Sequence, residues 1–184
     1  MGSVSKPKPA ALTAAIMATG HNMVETAEER LRSSFGRIDL RSETFRFDFS
    51  DYYDNEMGRG LIKGFVSFSD LVDTGRLSEI KLLTNQIERE LAETIDGAFH
   101  RRANIDPGYV TLGNLVLAST KNASHRVHVG QGIYAEVTLK FHKGSFRELE
   151  WTYRDYATDL AIDFFNGVRE RLLLKLRETG DLVT

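Results

Sequence analysis

The sequence predicts an α+β fold, a mainly antiparallel sheet with three principal helices on one face. Three observations lead there. Apolar residues recur at helical spacing in three separate stretches, around residues 22–36, 73–97 and 158–178. The stretches between them alternate apolar with polar residues or run apolar for a few positions, as strands do. The resulting order of strand, helix, strand, strand, helix and further strands suits a ferredoxin-like βαββαβ core extended by a late β-hairpin.

Taken in order, the first strand lies in the small, apolar run Ala10 to Ala18. Lys6 and Lys8 precede it as they would in a signal peptide, but Leu12, Ile16 and Met17 are its only large apolar groups and Pro9 stands at its threshold. A disordered leader over residues 1–8 is therefore expected, then a single domain over 9–178 and a tail over 179–184. Asn22 is placed as the N-cap of the first helix with Glu25 at its third position, Val24, Ala27, Leu31 and Phe35 form its apolar stripe, and Gly36 ends it. In Arg37 to Phe49, the alternation of Phe45, Phe47 and Phe49 puts three rings on one face of a strand. Asp51 to Gly60 reads as a polar loop and Leu61 to Phe68 as the next strand. The second helix starts near Asp73 or Thr74, carries Leu77, Ile80, Leu83, Ile87 and Leu91, and has Gly97 as its C-cap.

Asp106-Pro107-Gly108 reads as a turn between the apolar runs Ala103 to Ile105 and Val110 to Thr120, and as a turn it brings Asp106 and Tyr109 to the end of the sheet that holds Lys121 and His125. Val127 to Val129 and Ile133 to Phe141 flank Gly130-Gln131-Gly132 as the strands of a hairpin. Alternation there assigns Ile133, Ala135, Val137 and Leu139 to the core, with Glu136 and Thr138 on the opposite, polar face. It also pairs Arg126 with His128, outside the apolar core. The last helix spans Thr158 to Glu178, with Asp159 and Asp163 early and Arg171, Lys175 and Arg177 late, as the helix dipole favours.

A chain of 184 residues, 41% hydrophobic and 27% charged, has the make-up of one globular domain. Its 24 Lys and Arg against 26 Asp and Glu argue against a dedicated nucleic-acid or membrane-surface binder. The absence of cysteine excludes thiol catalysis and Cys-built zinc sites and agrees with a reducing compartment. No stretch approaches the ~20 apolar residues of a membrane span.

Common catalytic and nucleotide motifs are missing: there is no G-x-x-x-x-G-K-[ST] phosphate loop, no G-x-G-x-x-G after a strand, no H-E-x-x-H and no G-x-S-x-G. What remains is a charge pattern. Asp39 to Glu56 is acidic, whereas Lys121 to Lys143 holds Lys121, Arg126, Lys140, Lys143 and three histidines against Glu136 alone. An arginine fork and a lysine point charge are the groups that recognise phosphate or carboxylate. Lys121, His125 and Arg126 are thus candidate anion contacts, Tyr109 and Tyr134 candidate ligand contacts that stack on a ring or sugar, and Asp51, Asp106 and Glu136 candidate general bases or metal ligands. If the protein is an enzyme, hydrolysis or phosphoryl transfer assisted by a divalent cation is the class that suits them. The alternative is a non-catalytic interaction module, monomeric or homodimeric, in which the same residues form a salt-bridge network.

Several motifs resemble a known family. Phe47-Asp48-Phe49-Ser50-Asp51-Tyr52-Tyr53 with Glu56-Met57-Gly58, then Asn104 to Tyr109, Leu117 to Lys121, Ser124-His125-Arg126 and Gly132 to Leu139, are similar to the domain of unknown function DUF4416. So is Trp151-Thr152-Tyr153-Arg154-Asp155-Tyr156, with Arg154 standing where the family's pattern has proline. The resemblance runs from about Lys8 to Arg171 and implies a small, stand-alone, cytoplasmic prokaryotic protein with no established activity. Some relatives carry the label of GTP-binding protein, which this sequence, lacking the phosphate loop, gives no support.

Overall fold

A computed structural model of the protein describes residues 2–95 and 97–182. Its elements are β1 (Ala10–Ala18), α1 (His21–Phe35), β2 (Ile38–Arg41), β3 (Phe45–Arg46), α2 (Asp54–Met57), β4 (Ile62–Val72), α3 (Leu77–Leu91), β5 (Glu93–Ile95), β6 (Ala98–His100), β7 (Ala103–Val110), β8 (Asn114–Ser119), β9 (Val127–Gly130), β10 (Ile133–His142), β11 (Ser145–Glu148) and α4 (Asp159–Glu178). The main sheet runs β11-β10-β8-β7-β1-β4-β2, with β3 added on β4 and β9 on β10. Every ladder in it is antiparallel. The fold is α+β. Within it β1, α1, β2, β4, α3 and β7 follow the order βαββαβ with strands arranged β7-β1-β4-β2. Residues 2–9 carry neither helix nor strand; Met1 of the expected leader and Val183 and Thr184 of the expected tail lie outside the described residues.

The helices do not share one face. β1 is buried along its whole length. Its Leu12, Ala14 and Ile16 pack with Val24 and Leu31 of α1 and Ile80 and Ile87 of α3. Ala11 and Ala15 point the other way, into a second core with Phe164, Phe165, Val168 and Leu172 of α4. A strand apolar on both sides needs cover on both, and burial of each large side chain contributes roughly 1.5–3 kcal/mol, so packing sets the side that α4 takes.

Several local expectations change for identifiable reasons. α1 begins at His21 with Gly20 as its N-cap, two residues ahead of the expected Asn22, whose carbonyl accepts from Thr26 Oγ1 instead. The strand expected over Arg37 to Phe49 is two short pieces, though Phe45, Phe47 and Phe49 do cluster, with ring centroids 5.7–6.2 Å apart. Asp51–Tyr53 is a 3₁₀ turn leading into α2 rather than open loop. α3 ends at Ala92, and Gly97 instead sits at φ +78° in the connection of the β5–β6 ribbon.

Asp106-Pro107-Gly108 is not a turn. It lies inside β7, paired to Ala15, Ala14 and Thr13 of β1. Proline is tolerated because the β7–β8 ladder covers only Gly108 to Val110. Glycine is required by proximity: a Cβ on Gly108 would stand 2.4 Å from the Val116 carbonyl oxygen of β8.

The hairpin around Gly130-Gln131-Gly132 forms as expected, but the alternation of β10 does not hold to its end. Val137 faces Val116 and Leu139 faces Leu115, so Thr138 is an extra residue, a β-bulge. Ile133 belongs with Ala135 and Val137 to a cluster under α3, whereas Leu139 joins the α4 core on the side of Glu136. The polar face is not wet either: Glu136 and Thr138 are both buried. β9 leaves β10 at Ala135 and β11 joins at Leu139. Over the uncovered edge between them, the Trp151 indole donates to the Val137 carbonyl at 2.8 Å and Thr152 Oγ1 to the Thr138 carbonyl at 2.5 Å.

Candidate functional site

Because the β7–β8 ladder stops at Gly108, the two strands part and a wedge opens in the sheet. The parting leaves the Ile105 peptide of β7 without a strand neighbour on that side, and α3 supplies side chains in place of one. Lys81 Nζ donates to the Ile105 carbonyl at 2.8 Å, and Glu88 Oε1 accepts from the Ile105 amide at 2.7 Å. Buried backbone groups must find partners, so two charged residues stand on a helix stripe that is otherwise core. The wedge is a cavity of about 550 Å³.

Among the described residues six cationic side chains line it, Lys63, Lys81, Arg89, Arg101, Lys121 and Arg126, against four carboxylates, Glu88, Asp106, Glu136 and Asp155. Each carboxylate is claimed. Lys63 Nζ lies 2.5 Å from Asp155, Lys81 Nζ 3.4 Å from Asp106, Arg101 3.6 Å from Glu88 and Arg126 Nε 2.7 Å from Glu136. Asn104 Nδ2 donates to the other Asp106 oxygen at 2.7 Å, and its own side-chain oxygen accepts from Arg101. Arg89 and Lys121 are left over, with no carboxylate partner among the described residues. Lys121 Nζ rests 3.9 Å from the centre of the Tyr52 ring.

Burial and charge set the acid–base state of this wall. For Asp106 burial alone works to raise the pKa, but Lys81, Lys63 and the Asn104 hydrogen bond outweigh it and hold the carboxyl below its ordinary value. Glu88 goes the opposite way, its burial outweighing Lys81, Arg101 and the Ile105 amide to raise its pKa. Burial also raises the phenols of Tyr53, Tyr153 and Tyr156, which stay protonated at neutral pH. Two buried polar atoms of cavity residues, Arg101 Nε and the Tyr156 hydroxyl, have no hydrogen-bond partner among the described residues.

Of the residues singled out in the sequence, Asp106, Glu136, Lys121 and Arg126 meet at this cavity. Arg126, placed by alternation outside the apolar core, is nonetheless buried, its side chain 6% exposed. Besides Glu136 it donates to Ser119 Oγ at 2.9 Å, the Lys121 carbonyl at 2.8 Å and the Tyr153 hydroxyl at 2.5 Å. It is a clamp on the 119–121 corner, and Lys121 is held at the cavity by it. His125 lies outside the cavity, stacked on Trp151 in a depression with Ser124 and Glu150, and reaches Glu136 Oε2 at 3.3 Å. Asp51 is exposed in its 3₁₀ turn, while its neighbours Ser50, Tyr52 and Tyr53 line the cavity. Tyr109 packs into the cluster of Leu77, Val116 and Ile133, and Tyr134 against His128. Neither lines the cavity.

Sequence reasoning missed Lys63, Lys81, Glu88, Arg101 and Asp155. A signal existed for two of them: Lys81 and Glu88 fall on the stripe of Leu77, Ile80, Ile87 and Leu91, where a charge needs a partner. Among the described residues no three His, Asp or Glu side chains gather as a metal cage. Of the three carboxylates expected as metal ligands, Asp106 and Glu136 already face Lys81 and Arg126 and Asp51 stands outside the cavity lining, so the donor set does not fit a divalent cation.

No curated protein and no solved structure matches this chain. The sequence profile of the domain of unknown function DUF4416 matches residues 8–172, which takes in every strand, the wedge and most of α4. The chain belongs to the DUF4416 family.

Proposed function

We propose that the protein binds a small anionic, phosphate-bearing molecule in the wedge between β7 and β8. The observation that carries the reading is a one-sided surplus of donors. All four carboxylates are paired, yet two cations remain, and the orphaned Arg101 Nε–H and Tyr156 hydroxyl lie on the same wall. A phosphate monoester brings about −1.5 to −2 charges and three acceptor oxygens, which matches that surplus in sign and size. Lys121 is the leading anion contact, and Arg126 acts through it as a positioning residue. Binding is favoured over metal-assisted hydrolysis because Asp106 and Glu136 are occupied by cations and Asn104.

Calorimetric titration with inorganic phosphate and pyrophosphate tests the reading, alongside native mass spectrometry of freshly purified protein for a retained molecule. Saturable binding that Lys121→Ala weakens about tenfold supports it, since a charge-assisted hydrogen bond is worth roughly 1.5–3 kcal/mol. The pairing of Glu136 with Arg126 favours a second reading, a non-catalytic module held by its ion-pair network. No retained molecule and no binding of either anion at millimolar concentration would leave that reading in place.

A further inference from the structure

Aromatic side chains are normally spent on the core, so the few left at the surface mark where something else covers them. Among the described residues four Phe, Tyr or Trp side chains are exposed: Phe49 at 38%, Tyr52 at 62%, Phe99 at 56% and Tyr153 at 48%. Three of these line the wedge, and they come from three separate parts of the chain. The fourth, Phe49, packs at 5.7 Å on Phe47, which lines it too. Phe99, on the β5–β6 ribbon, pairs with no other ring among the described residues. Tyr52 carries the Lys121 ammonium on its face, 3.9 Å from the ring centre.

This puts aromatic faces and Lys121, one of the two cations without a carboxylate partner among the described residues, in the lining of one cavity. A phosphate captured by Lys121 sits within a ring's width of Tyr52, and the group esterified to it emerges among the exposed rings. Resting on the anion-binding reading above, we infer that the ligand is a phosphate monoester of a flat aromatic or heteroaromatic ring, which stacks at the rim with Phe99 as its principal platform. Flatness follows from the partners: faces of Phe and Tyr reward a planar π-system beyond the area it buries, whereas a puckered ring gains the area alone.

Calorimetric titration with inorganic phosphate, phenyl phosphate and cyclohexyl phosphate separates these contributions. Phenyl phosphate is expected to bind roughly 5- to 100-fold more tightly than inorganic phosphate, with cyclohexyl phosphate between them. Phe99→Ala should remove most of the phenyl advantage and leave inorganic phosphate binding unchanged, and Phe99→Tyr should restore it. Thermal unfolding of Phe99→Ala reports whether the fold is intact. If inorganic phosphate binds and phenyl phosphate binds no better, the stacking inference falls while anion binding stands. Equal affinities for the phenyl and cyclohexyl esters overturn the flat ring, and an unchanged phenyl advantage in Phe99→Ala overturns the platform. Failure of all three probes to bind sinks the anion-binding reading itself.

Discussion

Arg126→Ala is the sharpest test of how the wedge is held. The substitution removes a guanidinium that donates to Glu136, Ser119, the Lys121 carbonyl and Tyr153, and it leaves Glu136, whose side chain is 1% exposed, without its nearest cation. Breaking a buried ion pair from one side costs about 3–5 kcal/mol, because the remaining charge stays buried and unpaired. In a domain of this size each kcal/mol moves Tm by about 2–4 °C, giving a drop of roughly 6–20 °C. Urea unfolding of Arg126→Ala, Glu136→Gln and the double variant forms a cycle, and the double variant should be more stable than the sum of the two single losses allows. A loss below about 1 kcal/mol for Arg126→Ala, or strict additivity, would refute the clamp and return Arg126 to the solvated surface.

Three further outcomes follow from other parts of the molecule. Lys121→Ala, which breaks no ion pair among the described residues, should leave Tm within a few degrees while lowering phosphate affinity in titration, more at low salt than at high salt. Gly108→Ala should destabilise by roughly 1–3 kcal/mol in urea unfolding, since the new Cβ meets the Val116 carbonyl, whereas Gly113→Ala should be nearly silent because its new Cβ would come no nearer than 4.0 Å, to Thr111 Oγ1. Asp106 is held below its ordinary 3.8, so the stability it contributes is present above about pH 4 and is lost as pH falls further; Glu88, raised above 4.5, gains stability as pH falls through its folded pKa towards that value. Asp106→Asn should flatten the acid limb of a stability-against-pH curve, and an unaltered limb would remove Asp106 from the account.

The long periodic segments were legible in the sequence because one physical pattern dominated each. α4 shows this: its stripe of Phe164, Phe165, Val168, Leu172 and Leu176 is buried and Thr158 caps it, accepting from the Ala161 amide. Which side of the sheet it covers was not legible, since periodicity names the buried face of a helix but not the surface that buries it. Local rules failed where tertiary neighbours overrode them. Pro107 and Gly108 have turn-forming propensities, yet the parting of β8 makes the missing amide harmless and the closeness of Val116 makes the missing Cβ necessary. Of the candidate site residues, Asp106, Lys121, Arg126 and Glu136 converge because β7, β8 and β10 are sheet neighbours, which the hairpin signal anticipated only for β9 and β10. Lys63 and Asp155, ninety-two positions apart in the chain, carry no signal that would pair them.

The parting of β7 from β8 also makes the sheet two plates joined along a short seam. Only Gly108 to Val110 of β7 and Leu115 to Leu117 of β8 are stitched together, so the plate of β7, β1, β4 and β2 meets the plate of β8, β10 and β11 over one turn's length of ladder. Beneath them α4 packs on β1, β4 and β7 of the first plate and on β11 of the second. It works as a splint. The angle between the plates is fixed from below by its buried phenylalanines and leucines, and the lateral freedom of the opening above is set by the seam, where the residue of least side-chain bulk is Gly108. Mechanically, the width of the mouth is governed from the apolar core and the seam rather than by the charges that face it.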